Sequence, residues 1–88
     1  MAAYRLDGSM SNIANVLSEL RPGQSGRIRE FLGANEMHLR LMELGLLPGT
    51  EVRCLRLAPF GDPLEVEVRG YCLSLRKAEA STISVEPL

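Results

Sequence analysis

The stretch "LEVEVRGYCLSL", Leu64 to Leu75, sets the fold class. Leu64, Val66 and Val68 alternate with Glu65, Glu67 and Arg69. That is the period of a strand with one face in a core and the other in water. Gly70 permits a tight turn. Tyr71, Leu73 and Leu75 then alternate with Cys72 and Ser74, giving a second strand beside the first.

Immediately upstream lies "LAPFGDP", Leu57 to Pro63. Pro59 and Pro63 each hold φ near about −65°, and Pro63 biases Asp62 toward extended geometry. Gly61 supplies a backbone shape that other residues resist. Asp62 is suited to accept a nearby backbone N–H. The segment is expected to be a stiff connector that sets the register of the strand at Leu64. Phe60, at its tip, either folds back over the end of the barrel or stands out as an anchor for a partner.

Three more strands follow from the pattern. Thr50 to Leu57 places Val52 and Cys54 on one face and Leu55 and Leu57 on the other, as expected of a strand coiling around a small barrel. Gly26 to Leu32 turns Ile28 inward, and its apolar parity shifts at Phe31, which a bulge or a sharp bend explains. After one helical turn in "RKAEAS", the segment "TISVE" turns Ile83 and Val85 inward. Two segments are helical instead. Ile13, Val16, Leu17 and Leu20 make one stripe that Ser11 or Asn12 can cap and "RPGQ" ends. Gly33 to Gly45 follows, with Asn35 as a cap and Gly45 in the place of a left-handed C-terminal residue. Pro48 and Gly49 turn the chain after it. The expected fold is mainly β: a small, strongly bent five-stranded barrel with one inserted helix and a short N-terminal helix. Residues 1–10 read as a weakly ordered lead-in, and 11–88 as one domain.

The inserted helix carries more apolar surface than a core needs. With Met37 at zero and about 100° per residue, Leu41 and Leu44 fall within about 40° of it. His38 lands near 100°, Met42 near 140° and Leu39 near 200°. Either the N-terminal helix covers Leu39 and Met42, or they form an exposed strip of the kind that marks an interface. Together with His38 and Phe60 they are the candidate partner-contacting residues.

Composition removes several classes. The chain has 88 residues, 45% of them hydrophobic, and a net charge of −1. This charge leaves no electrostatic footprint for nucleic acid. Its arginines are interleaved with Glu51, Glu65 and Glu67, so pairing across a solvated sheet face is expected. No apolar run reaches the roughly 20 residues of a membrane span, and no signal-peptide pattern opens the chain, so a cytoplasmic location is expected. Cys54 and Cys72 form no CxxC pair and are expected to be reduced and buried. His38 is the only histidine, and Glu43, five residues on, lies off its face. No metal site within one chain, no bound cofactor and no catalytic constellation are therefore expected.

The sequence from "LRLMELGLLPGTEV" through "RKAEASTISV" resembles the FeoA family, the small accessory proteins of bacterial ferrous iron transport. The residues that carry the resemblance are Leu44-Gly45-Leu46 with Pro48-Gly49, then Ala58-Pro59 with Gly61-Asp62-Pro63. Leu75-Arg76, Glu79-Ala80 and Ile83-x-Val85 complete it. The resemblance implies an SH3-like barrel and, as partner, the FeoB membrane transporter with its GTP-binding domain. It implies a non-enzymatic regulatory or assembly role, without insertion into the membrane. A metal-responsive sensor whose association state changes on binding ferrous or another divalent ion is the alternative. An RNA-binding small barrel is disfavoured by the charge balance. Weak homo-oligomerisation and a metal shared between chains stay open.

Overall fold

A computed structural model describes residues 15–33 and 36–88. Five antiparallel strands form one sheet: β1 (Ser25–Phe31), β2 (Glu51–Leu57), β3 (Leu64–Val68), β4 (Tyr71–Leu75) and β5 (Ile83–Pro87). Their order is β4-β3-β2-β1-β5. Helix α1 (Glu36–Glu43) is inserted between β1 and β2, and the one-turn helix α2 (Lys77–Ala80) precedes β5.

The alternation from Leu64 to Val68 is realised in full on β3, where Leu64, Val66 and Val68 are buried. They meet Ile28, Val52, Cys54, Leu75, Ile83 and Val85 in a single core. Each such aliphatic side chain contributes about 1.5–3 kcal/mol on burial. The two shifts of apolar parity are both bulges. The β1–β5 register slips between Ile28 and Glu30, and the β2–β3 register between Cys54 and Arg56. Each bulge bends its strand and increases the local twist, which is how a sheet this small curls over its own core.

On the outer face, charges pair where the register sets them opposite. Arg53 lies across from Glu67 and bonds it at 3.1 Å, and Arg56 lies across from Glu65 at 2.9 Å. These exposed pairs contribute little individually. They keep that face polar.

The N-terminal stripe takes a different form from the helix expected. Ile13, Ser11 and Asn12 lie outside the described residues. From Asn15 onward the chain makes only one 3₁₀ turn, Leu17–Glu19. Val16 is extended and bridges to Ser84, while the Val85 N–H donates to the Asn15 carbonyl at 3.0 Å. Strand-like pairing to β5 thus takes the backbone bonds a longer helix would use. In a 3₁₀ turn, residues i and i+3 eclipse, so Leu17 and Leu20 still point together into the core.

Cys54 is buried, as expected, but Cys72 is exposed. The strand containing Cys72 turns Tyr71, Leu73 and Leu75 toward the core side, which leaves Cys72 and Ser74 on the solvent face. Both thiols are free. Burial pushes the Cys54 thiol above its ordinary pKa. A disulfide-exchange reagent in excess is therefore expected to titrate Cys72 rapidly in the native protein and Cys54 only on unfolding. Two equally fast thiols would contradict the burial of Cys54.

Candidate functional site

Helix α1 is fixed at its C-terminus by a Schellman motif. The Leu46 N–H donates to the Leu41 carbonyl at 3.2 Å, and the Gly45 N–H to the Met42 carbonyl at 3.0 Å. Gly45 has φ +105°, the left-handed geometry this motif needs. Leu41 and Leu46, which flank the motif, are both buried. The Tyr71 hydroxyl, reaching from β4, donates to the carbonyl of Leu44. The loop after the helix turns at Pro48-Gly49, where the Thr50 N–H donates to Leu47 at 3.0 Å and the Gly49 N–H to Ile28 at 2.7 Å. Gly45, Pro48 and Gly49 thus set where α1 stops and how β2 begins.

The buried side of α1 is rotated from the one expected. Leu41 is fully buried, with Met37 and Leu44 half-buried against the core. His38, expected at the partner face, is instead only 5% exposed. Its ring packs against Phe31 with centroids 4.8 Å apart, and Nε2 lies 3.2 Å from the Thr82 hydroxyl. That hydroxyl spends its hydrogen on the Glu79 carbonyl at 2.8 Å. It is therefore the acceptor toward His38, and Nε2 carries the proton. A neighbouring ion pair, Arg40 with Glu79, also ties α1 to α2. Glu79 in turn accepts the Arg76 N–H at 2.9 Å with its other oxygen. His38 and its neighbours dock one helix on the other. Nothing in their arrangement presents the imidazole outward.

The remaining candidates are outward. Leu39 is 65% exposed, and Met42, on the next turn, is half-buried. The described part of the N-terminal segment packs on β5 and α2, where Ser18 meets Ser81, and it leaves Leu39 open.

Phe60, on the β2–β3 loop, is 95% exposed. It does not fold back over the barrel end. The loop holds it there by its own bonds. The Gly61 N–H donates to Ala58 at 2.7 Å, and the Ala58 N–H to Pro63 at 3.0 Å. The Asp62–Pro63 peptide is cis. Asp62 does accept a backbone N–H, though not a local one: Lys77, at the start of α2, donates to it at 3.0 Å. The loop is thereby pinned to the start of α2.

Gly61 has φ +81°, and a Cβ there would meet nothing within 4 Å. Gly61→Val is thus expected to lose about 1–3 kcal/mol from backbone strain alone. Phe60→Ala is expected to stay within about 0.5 kcal/mol of wild type. Comparing the two urea midpoints checks both values. A lower midpoint for Phe60→Ala would mean the ring contributes to the core.

Among the described residues, no three His, Cys, Asp or Glu side chains gather as metal ligands. No described helix is long and apolar enough to cross a membrane.

Comparison with known proteins places this geometry. A family model for the FeoA domain matches residues 15–87. A Fe(2+) transport protein A/Fe(2+) transporter FeoB fusion protein of Porphyromonas gingivalis is 33% identical over 70 residues, covering 80% of this chain. The chain corresponds to only 8% of that relative's length. A FeoA protein of Chlorobium tepidum, solved by NMR, is 40% identical with a TM-score of 0.76, over 83% of this chain and 70% of the other. The FeoA of Stenotrophomonas maltophilia, crystallised with zinc and described as a prokaryotic SH3 domain protein, is 34% identical with a TM-score of 0.73. That match covers 83% of this chain and 91% of that one. With the five-stranded SH3-like sheet, the inserted helix and the matched motifs in agreement, the chain belongs to the FeoA family, which is associated with ferrous iron transport.

Proposed function

We propose that this chain is a non-enzymatic accessory module of bacterial ferrous iron uptake that docks on the cytoplasmic side of a FeoB-type transporter. The observation that carries the reading is Leu39, a leucine 65% exposed on a helix already anchored from its other side by Leu41 and His38. An apolar residue that the core does not need, held on a rigid element, is suited to burial against another protein. The existence of a relative in which the two proteins are one chain supports the pairing, because fusion keeps the partners at high effective concentration. Phe60 stands on a separate element and supplies a second apolar contact from a pinned loop.

Leu39→Gln is expected to fold as wild type does, within about 0.5 kcal/mol, since the side chain lies in water. It is also expected to weaken transporter binding by about 1 kcal/mol or more, as loss of a desolvated anchor does. Met42→Gln should show a smaller effect on binding and a larger one on stability, because Met42 is half-buried. Thermal midpoints and dissociation constants for the transporter in nanodiscs, measured on each variant, test this. Wild-type affinity in a folded Leu39→Gln variant would remove α1 from the interface.

A further inference from the structure

We infer that the outer edge of β4 is a strand-addition site for an extended segment of another protein that carries acidic residues at both its ends. The two-residue turn at Arg69-Gly70 makes Val68 and Tyr71 the closing hydrogen-bonded pair of the β3–β4 ladder. Hydrogen-bonded pairs alternate along an antiparallel ladder, so Val66–Leu73 and Leu64–Leu75 are the next ones. The N–H and C=O groups of Cys72 and Ser74 therefore point away from β3. Among the described residues no backbone group pairs with them.

The other edge strand is treated differently. Asn15 and Val16 lie along the outer side of β5, with the Val85 N–H bonded to Asn15 at 3.0 Å and Val16 bridged to Ser84. Among the described residues, one edge of the sheet is covered and the other is not.

Open edges are ordinarily blunted by a charge, a proline or a bulge within the strand. Tyr71-Cys72-Leu73-Ser74-Leu75 has no charge and no proline, and its pairing with β3 runs without a register shift. Charge appears only at its two ends, Arg69 before it and Arg76 and Lys77 after it. Among the described residues none of these three side chains has an ion-pair partner. Of the acids on adjoining elements, Glu67 is engaged with Arg53, Glu65 with Arg56 and Glu79 with Arg40; Asp62 accepts the Lys77 N–H, and Glu51 lines the same outer-face depression as Arg69.

This pattern selects the occupant. If two copies of this chain paired through β4 with the strand fully overlapped about Leu73, Arg69 of each would face Lys77 of the other. Like charges directly opposite are destabilising, so self-pairing is disfavoured. A segment with a carboxylate at each end meets complementary charge at both, and its main chain takes up the Cys72 and Ser74 groups. Its apolar residues cover Tyr71, exposed on the same edge, and the half-buried Leu73.

The surface is separate from Leu39 on α1, and its test needs no transporter, so either reading can fail without the other. The experiment titrates the full ¹⁵N-labelled chain with the peptide Glu-Val-Thr-Val-Thr-Val-Glu. Parallel titrations use the same peptide with lysine at both ends and one with alternate amides N-methylated. The acidic peptide is expected to slow amide exchange selectively at Cys72 and Ser74. The lysine-ended peptide should bind about tenfold more weakly, and the N-methylated one should give no protection. The double variant Arg69→Glu, Lys77→Glu alters only exposed charges and should invert the preference between acidic and lysine-ended peptides. Unchanged exchange at Cys72 and Ser74 in saturating acidic peptide would overturn the proposal. So would equal affinity for the two charged peptides. Protection of the same amides without peptide, with a dimer in sedimentation, would assign the edge to self-association and overturn it as well.

Discussion

Leu41→Gln is expected to be strongly damaging, at about 2–5 kcal/mol for the lost leucine packing plus a penalty for the buried amide. Three observations converge on this side chain. It is fully buried, it lies in the last turn of α1, the longest helix among the described residues, and it packs beside Leu46, the buried residue that follows the Schellman motif. The barrel itself keeps its own core of Val52, Val66, Val68 and Val85. The loss is thus felt first as detachment of α1. In a domain this size each kcal/mol moves the thermal midpoint by roughly 4–8 °C, so the shift should exceed about 10 °C. Circular dichroism melts of Leu41→Gln beside Leu39→Gln read the contrast directly. The two are only two residues apart and differ in burial alone, so similar midpoints would contradict the assigned faces of the helix.

Gly45→Ala is expected to be costly for two separable reasons. At φ +105° an alanine pays the left-handed penalty, about 1–2 kcal/mol. Its Cβ would also sit 2.5 Å from the Tyr71 hydroxyl oxygen. That contact forces Tyr71 off the Leu44 carbonyl and loses a hydrogen bond of about 0.5–1.5 kcal/mol. The two costs are distinguished by a double-mutant cycle. Tyr71→Phe removes the offending oxygen and leaves the ring carbon 3.6 Å from the new methyl, an ordinary contact. Gly45→Ala should accordingly cost less in the Tyr71→Phe background than in wild type. Additive urea-denaturation free energies would show that the strain is all in the backbone.

Much of this architecture is written in local pattern. The alternation from Leu64 to Leu75 gives the hairpin. The change of apolar parity at Phe31 marks the bulge in β1, whereas the switch of faces at Leu55, expected from coiling around the barrel, coincides with a second bulge. Gly45 announces the end of α1, since few other residues take its backbone shape.

What the sequence hides is long-range. Asp62 finds its N–H fifteen residues away on Lys77. His38 is buried because Phe31 and Thr82, from different strands' ends, supply a ring and a hydroxyl. A helical wheel weighs histidine as polar and has no access to those partners. The segment at Val16 is a contest between helix and strand that an exposed ladder on β5 decides. Leu39 was legible as surplus apolar surface, and the packing of α1 leaves it in water.

The proposed docking face of α1 for a FeoB-type transporter is tested most directly by titrating the wild-type chain onto the cognate transporter in lipid nanodiscs, with its separated GTP-binding domain as a second analyte. Saturable binding to the full transporter is expected, weakened by about tenfold in Leu39→Gln while that variant's thermal midpoint stays at the wild-type value. Absence of saturable binding by the folded wild-type chain, or equal affinity of wild type and Leu39→Gln, would contradict it.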